Sequence, residues 1–188
     1  MPEFVSHSQA GQDRWVYETL VRGQGITHGT FLDIGCAWPI ELNNTYALEQ
    51  LGWRGVLIDW NGACIAECRM LRKKTPSYAA DATLIDWHEF AVAPVYARDE
   101  ELVLRPQFDY LSLDIDDQPD EPSKTVKCLE NILAAGLTFR AITVEDDRYR
   151  LGDRVLVGIM ELLAPSYNIF DLSVAHDGCV YETWWLAK

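Results

Sequence analysis

Short apolar runs alternate along the chain with longer amphipathic segments, a pattern that predicts helices packed around a largely parallel sheet. The runs that predict strands lie at residues 30–34, 55–59, 77–80, 109–114 and 139–145. Four of these strands lead into an acidic residue at or just beyond the C-terminal end. Open α/β sheets bind ligands at the carboxyl ends of their strands, so the sequence predicts a functional site at this edge.

The amphipathic segments predict helices at residues 42–51, 63–73, 123–135 and 153–163. Two more β-type runs, 167–172 and 180–186, follow the last helix. The Asp177-Gly178 pair between them is a turn signal, which predicts a C-terminal hairpin. The intervening stretches 91–106 and 114–122 predict loops.

Length and composition fit one globular domain, since 48% of the 188 residues are hydrophobic and 24% are charged. We expect residues 1–28 to form an N-terminal helical lid segment on a core of residues 29–188. A net charge of −13 repels a phosphate backbone, which argues against nucleic acid as a partner. The chain shows neither a leader-like N-terminus nor an apolar stretch that could span a membrane, so we expect a cytoplasmic protein without a membrane partner.

Five scattered cysteines predict reduced thiols rather than a disulfide framework. Cys64 and Cys68, one helical turn apart, are too few ligands for a zinc site.

The first predicted strand delivers Asp33 and Gly35 into a turn that precedes a helix. Glycine at such a turn lets the backbone approach a ligand closely. Asp59 ends the next strand, where a carboxylate can accept both hydroxyls of a ribose. Asp81 follows the third strand, where an adenine amino group could be held. The spacing therefore favours a nucleoside-bearing cofactor.

Several motifs, taken in order, resemble those of the FkbM-type methyltransferases. They are residues 8–13 (SQAGQD), 29–35 (GTFLDIG), Asn44-Thr45 with Leu48-Glu49, 52–58 (GWRGVLI) and 110–116 (YLSLDID). The resemblance covers roughly residues 6–60 and 108–147. It implies S-adenosylmethionine as cofactor, O-methylation of a small molecule or sugar, and a Rossmann-like class I fold. That fold is a three-layer α/β/α sandwich whose seven-stranded, mostly parallel sheet ends in an antiparallel hairpin, as the predicted elements also do.

On the family pattern, Asp33 and Gly35 contact the methionine end of the cofactor, Asp59 holds the ribose and Asp81 lies at the adenine. Neighbouring positions complete the candidate cofactor set: Gln9, Cys36, Asn44, Thr45, Trp60, Ala82 and Asp114. The sequence departs from the pattern after Gly35, where bulky Trp38 and Pro39, which has no backbone N–H, occupy the loop.

Acidic residues gather after the fourth and fifth strands, with Asp114 and Asp116 behind one and Glu145 and Asp146 behind the other. We take Asp114 and Glu145 as candidate catalytic residues. With Asp146 they could hold Mg²⁺, as acidic residues do in catechol-type O-methyltransferases, and lower the pKa of an acceptor hydroxyl. Without a metal, Asp114 could act as general base. A solvated acidic rim with helix-capping aspartates is the third interpretation.

Methyl transfer to a hydroxyl of a small molecule or glycan is thus the main functional hypothesis. A catalytically degenerate binding protein with the same fold is one alternative, motivated by the Trp38-Pro39 loop. A nucleotide-sugar or dinucleotide oxidoreductase is another, disfavoured because the turn lacks GxGxxG and the chain ends in a hairpin. A homodimer is left open. Gln9 and Gln12 belong to the predicted lid, although a first helix that packs Trp15 on the core would explain the segment equally well.

Overall fold

Seven strands form one sheet in the computed structural model, which describes residues 4–92, 95–97, 100–102 and 107–188. In all, the described residues form nine strands: β1 (Thr30–Ile34), β2 (Arg54–Asp59), β3 (Ser77–Ala79), β4 (Val95–Ala97), β5 (Glu100–Leu102), β6 (Gln107–Leu113), β7 (Thr138–Glu145), β8 (Tyr167–His176) and β9 (Cys179–Ala187). The sheet order is β3-β2-β1-β6-β7-β9-β8, and β4 and β5 form a separate antiparallel pair. β9 runs antiparallel to β7 and β8, while the other pairings of the large sheet are parallel.

The helices lie between the strands and before the first of them. They are α1 (Gln12–Val16), α2 (Tyr46–Gln50), α3 (Gly62–Leu71), α4 (Trp87–Val92), α5 (Lys124–Ala134), α6 (Arg148–Leu151) and α7 (Arg154–Leu163). A π-helical turn, Tyr17–Arg22, continues α1, and a 3₁₀ turn, Ala82–Leu84, follows β3. No helix in the described ranges is long and apolar enough to cross a membrane.

Both faces of the sheet are buried, which explains the nearly continuous apolar runs of the central strands. Leu32 and Ile34 of β1 pack into a cluster with α5 and α7, whereas Phe31 points into the other cluster, with α1 and α3. Side chains of the last strand, β9, also alternate between the two clusters. Trp185 is fully buried among the first cluster, and Trp184 stacks on Trp15 at 4.8 Å between ring centroids. The result is the predicted three-layer α/β/α sandwich.

The predicted strands are confirmed, with boundaries that differ by at most two residues except in β8, which extends four residues further. The hairpin turn is confirmed at Asp177 and Gly178, whose φ angles of 50° and 80° fit a two-residue connection.

The prediction of a helix over residues 42–51 is wrong at its start, because α2 begins only at Tyr46. The Asn43 side chain accepts hydrogen bonds from the backbone N–H groups of Thr45 and Tyr46, and such local bonds compete with a helical turn. The stretch 91–106 is not all loop, since α4 reaches Val92 and β4 pairs with β5. Residues 93–94, 98–99 and 103–106 of that stretch lie outside the described residues.

The N-terminal segment packs on the core through α1 and also reaches the edge of the sheet where strands end. Trp15 is buried, as the packing interpretation expects. Fully buried Asp13 accepts hydrogen bonds from the backbone N–H of His7 at 2.7 Å and from the Ser8 hydroxyl at 2.6 Å. These bonds fold the residues before α1 back across the carboxyl edge, where the His7 ring meets Tyr46 edge-on. The N-terminal segment therefore packs on the core and also covers part of the carboxyl edge of the sheet.

Candidate functional site

The turn after β1 admits only glycine at position 35. Gly35 has φ +77°, and a Cβ there would lie 1.6 Å from the carbonyl oxygen of Asp114. The Gly35 N–H donates to the carbonyl of Ile58 at 2.8 Å, and the Asp114 N–H donates to the carbonyl of Ile34 at 2.9 Å. Three strand ends thus meet closely at this glycine. The arrangement holds the turn against the tip of β6 without any side chain between them.

Asp59 joins the ends of β1 and β2 rather than pointing freely into solvent. One carboxylate oxygen accepts the N–H of Ala37 at 2.9 Å, and the other accepts the N–H of Asn61 at 2.7 Å. Two accepted bonds leave acceptor capacity on both oxygens, because a carboxylate offers about four lone-pair positions. Asp59 can therefore fix the loop after Gly35 and still accept the hydroxyls of a ribose.

A buried polar network also supports the loop that follows Gly35. Arg72 is fully buried and donates to Glu49 at 2.6 Å, to Asn43 at 2.9 Å and to the Thr45 hydroxyl at 3.1 Å. That hydroxyl donates to the carboxylate of Asp33 at 2.6 Å. Burial raises the pKa of Asp33 to about 6, against the opposing effect of this hydrogen bond.

Asn43 closes the network onto the loop that carries Trp38 and Pro39. Its side-chain amide donates to the carbonyls of Cys36 and Trp38 at 3.0 and 3.1 Å. The unusual loop is therefore held by bonds of its own, with Pro39 buried and Trp38 half exposed.

Asp114 and Glu145, at the ends of neighbouring β6 and β7, are hydrogen-bonded to each other through their side chains. Two carboxyl groups can make such a bond only if one of them carries a proton. Burial is the largest cause that raises the pKa of each, and the contact with Asp114 raises that of Glu145 further. The proton therefore resides on Glu145, and Asp114 is the carboxylate of the pair. We call these two residues the acid pair.

The acid pair lines a small pocket that is partly open to solvent. Its lining comes from the N-terminal segment, the loop before α2 and the ends of β6, β7 and β9: Gln9, Gln12, Leu42, Asn44, Leu113, Asp114, Glu145, Tyr181 and Glu182. Gln12 donates to Glu182 at 2.7 Å, which ties the N-terminal segment to the last strand. The predicted lid thus forms part of the pocket wall.

Two lining atoms are buried without a hydrogen bond of normal geometry to any described residue. They are the side-chain oxygen of Asn44 and the hydroxyl of Tyr181. The amide nitrogen of Asn44 donates to Ser112 at 3.0 Å, so its oxygen is the atom that lacks a partner. Buried polar atoms normally have partners, and an orphaned acceptor in a pocket indicates a ligand that brings donors. The α-ammonium group of S-adenosylmethionine is such a donor, so the pocket fits the predicted cofactor at this point.

Several predicted site residues lie elsewhere. The carboxylate of Asp146 is buried and accepts two hydrogen bonds from the Arg148 guanidinium, at 2.9 and 3.1 Å. Asp116 is 85% exposed. Asp81 is exposed and accepts the N–H and hydroxyl of Thr83, so it caps the 3₁₀ turn, and these bonds lower its pKa.

The remaining cofactor candidates differ in exposure. Trp60 is 78% exposed beside Asp59. Ala82 is buried, and its carbonyl accepts the indole N–H of Trp87.

The structure does not assemble the predicted magnesium site of Asp114, Glu145 and Asp146. Asp146 is committed to Arg148, and the acid pair holds a proton between its two members. Within the described ranges, no group of three or more His, Cys, Asp or Glu side chains is arranged to hold a metal ion. The interpretation of the acidic residues as caps applies to Asp117, which accepts the backbone N–H of Lys124 at the start of α5.

Sequence reasoning missed Tyr181, Glu182, Asn43 and the buried state of Arg72. Glu182 lies on a strand that the sequence predicted, but only the antiparallel pairing of Glu182 with Glu145 brings it to the pocket. An acidic residue inside an apolar strand was the available signal. A cation at the C-terminal end of a helix commonly complements the helix dipole, so the position of Arg72 after α3 carried no signal of burial. The opposite charge of Glu49 one helix earlier gave no indication that the two would pair.

Comparison with known proteins identifies solved structures that have a similar fold. The chain matches no protein-family model and no curated protein, but it is similar to many solved structures. Magnesium protoporphyrin IX methyltransferase from Synechocystis PCC 6803, solved with bound SAM, superposes with a TM-score of 0.62 at 12% identity, over 96% of this chain and 79% of that chain.

Two further structures show the same likeness. The TehB-like SAM-dependent methyltransferase from Corynebacterium glutamicum gives a TM-score of 0.60 at 13% identity, over 95% of this chain and 88% of its own. The N-methyltransferase NodS from Bradyrhizobium japonicum gives 0.57 at 12% identity, over 94% of both chains. At such identities the likeness establishes the fold, which is that of class I methyltransferases. The narrower resemblance to the FkbM family stays a prediction.

Proposed function

We propose that the protein transfers a methyl group from S-adenosylmethionine to a hydroxyl group of a small molecule or sugar. One observation carries the proposal: a single pocket joins Asn44, in the loop between β1 and α2, to the acid pair at the ends of β6 and β7. Asn44 would face the cofactor, and the acid pair would face the methyl acceptor. The fold shared with solved methyltransferases supports the assignment.

Residues of the β1 and β2 ends would hold the cofactor. The oxygen of Asn44 offers an acceptor for the α-ammonium group, and Asp59 offers acceptors for the ribose. Trp60, exposed next to Asp59, offers an aromatic face for the adenine. When bound, S-adenosylmethionine supplies an electrophilic methyl group on a sulfonium centre. The chain itself has to position the acceptor oxygen and remove its proton.

The acid pair supplies the base. Asp114 is the carboxylate of the pair, so it would take up the proton of an acceptor hydroxyl as the methyl group moves from the sulfonium sulfur to that oxygen. Glu145 donates a hydrogen bond to Asp114 and keeps that carboxylate in a fixed orientation. Because the pair is desolvated, the pKa of Asp114 is raised, which makes it a stronger base than an exposed aspartate.

Calorimetric titration with S-adenosylmethionine, followed by mass-spectrometric detection of methylated products in a panel of sugars and small alcohols, tests the proposal. We expect the wild-type protein to bind the cofactor and to methylate an oxygen. Asp114→Asn should bind the cofactor with little change but lose transfer at any magnesium concentration, since it removes the base with little change of shape.

Asp116→Asn is the matched control, because Asp116 follows the same strand but is exposed and does not line the pocket. It should retain full activity. A folded wild-type protein that binds no S-adenosylmethionine would contradict the proposal, and so would full activity of Asp114→Asn.

A further inference from the structure

The acceptor side of the pocket is rich in carboxyl groups and contains no cation of its own. Asp114, Glu145 and Glu182 all line it, and none of its lining residues among the described part of the chain is Lys, Arg or His. Two nearby arginines are committed to other carboxylates, Arg148 to Asp146 and Arg150 to Asp147. Three carboxyl groups are thus brought together without an internal partner of opposite charge.

An unpartnered side chain points to a ligand at the same place. Tyr181 is 6% exposed and lines the pocket, yet its hydroxyl makes no hydrogen bond of normal geometry with any described residue. Glu182 is 3% exposed, and its carboxyl group lies against side-chain donors of Gln12, at 2.7 Å, Trp184 and Thr143. A carboxylate has room for further donors. The Tyr181 hydroxyl therefore faces the space beside the acid pair without a hydrogen bond, next to the carboxyl group of Glu182.

We infer that the methyl acceptor carries a protonated amine close to its hydroxyl, as an amino alcohol or an amino sugar does, and that Glu182 and Tyr181 bind this ammonium group. The inference rests on the proposed function, since it identifies the acceptor of the same site. An ammonium group brings three N–H donors and no acceptor. It therefore matches a carboxylate and a tyrosine oxygen better than a neutral hydroxyl does.

Charge gives the second reason for a cation. Burial raises the pKa of Glu182 to about 8, and the neighbouring carboxylate of Asp114 raises it as well. A positive group placed against Glu182 reverses this effect, because an adjacent opposite charge favours the ionised carboxylate. The cost of burying the carboxyl groups is then offset by the bound ligand. Leu42 and Leu113 line the same pocket and leave apolar contact for a short carbon skeleton.

Paired probes that differ in one ammonium group test the inference. D-glucosamine is compared with D-glucose, and 2-aminoethanol with ethylene glycol, each titrated into the full-length protein that is saturated with S-adenosylhomocysteine. The demethylated cofactor carries its own α-ammonium group, so it fills its own part of the site and leaves the acceptor part for the probe. In at least one pair, we expect the amine to bind about tenfold more tightly than the neutral partner.

Glu182→Gln should abolish this preference, because the amide keeps the shape and still accepts from Gln12 but has no charge. Its affinity for S-adenosylhomocysteine should be unchanged, and its thermal unfolding shows whether it is folded. Asp116→Asn removes an exposed carboxylate outside the pocket and should keep the preference. Where wild-type protein methylates an amine probe, mass spectrometry of the product locates the methyl group on oxygen or nitrogen.

The outcomes separate the two claims. Equal binding of amine and neutral probe in both pairs, or no binding of either, with S-adenosylhomocysteine still bound, overturns the inference and leaves the proposed function standing. A preference that survives in folded Glu182→Gln overturns the role of Glu182. A methyl group found on the nitrogen overturns the placement of the amine beside the acceptor hydroxyl. Failure to bind S-adenosylhomocysteine overturns the proposed function and the inference together.

Discussion

Replacing Gly35 by alanine tests how closely the strand ends meet at the candidate site. The new methyl group faces two obstacles, a φ of +77° and the Asp114 carbonyl oxygen, which lies 1.6 Å from the ideal Cβ position. Gly136 is a matched control with almost the same backbone angle, φ +81°, and nothing within 4 Å of its Cβ position. The two substitutions differ only in the second obstacle.

The magnitudes follow from these two terms. A left-handed alanine costs about 1 to 2 kcal/mol, so Gly136→Ala should lose about that much stability. Gly35→Ala bears the same cost and must also displace backbone atoms, because real Cβ contacts are not shorter than about 3.0 Å. Overpacking of this kind adds about 1 to 3 kcal/mol or more. We therefore expect Gly35→Ala to lose about 3 to 5 kcal/mol.

Urea unfolding monitored by tryptophan fluorescence measures both variants. Cofactor affinity, measured on protein that is still folded, should fall in Gly35→Ala and stay unchanged in Gly136→Ala. Equal losses of stability in the two variants would refute the reasoning, since the close approach of Asp114 to the turn would then have no energetic consequence.

Three further predictions concern charged groups. Asp59→Ala should lower the free energy of unfolding in urea by about 2 to 3 kcal/mol, because two backbone N–H groups lose a charged acceptor. It should also weaken S-adenosylmethionine binding in calorimetry, and an unchanged affinity would place the ribose elsewhere. Arg72→Met should lower the free energy of unfolding by about 3 to 5 kcal/mol, because it leaves the carboxylate of Glu49 without its charged partner. The half-exposed Arg140 is the control, since Arg140→Met should cost less than about 1 kcal/mol; similar losses would contradict the importance of burial. Glu182 has a pKa of about 8 in the folded protein against an ordinary 4.5, so the folded state holds this proton more tightly than the unfolded chain. The stability that it contributes is greatest below pH 4.5 and is lost as the pH rises to about 8. Unfolding free energies measured across this range should fall more steeply in wild type than in Glu182→Gln, and parallel slopes would count against the shifted pKa.

Local sequence patterns were sufficient for most of the fold. Strand β1 and the Asp177-Gly178 turn follow from apolar runs and from turn chemistry, which depend on neighbours along the chain. The acid pair was also predictable as a candidate, because neighbouring parallel strands bring Asp114 and Glu145 to one edge.

Long-range pairing decided what the sequence could not show. Asn43 delays the start of α2 through bonds that no periodicity reveals, and Arg72 is buried because Glu49 lies opposite it in space. Asp146 follows Glu145 directly, yet its partner Arg148 draws it away from the pocket. Which carboxylate faces a site and which forms an internal ion pair depends on a few side-chain contacts, and these were not encoded in the spacing of acidic residues.

The central claim is that S-adenosylmethionine binds at the carboxyl ends of β1 and β2, next to the acid pair. Titration of ¹⁵N-labelled protein with S-adenosylhomocysteine, followed by amide NMR spectra, tests it most directly. We predict saturable shifts at Gly35, Asn44, Asp59 and Trp60, with smaller shifts at Asp114 and no change at Gly136, which precedes β7 at the opposite edge of the sheet. Absence of shifts in a folded sample, or shifts confined to residues away from these strand ends, would contradict the account.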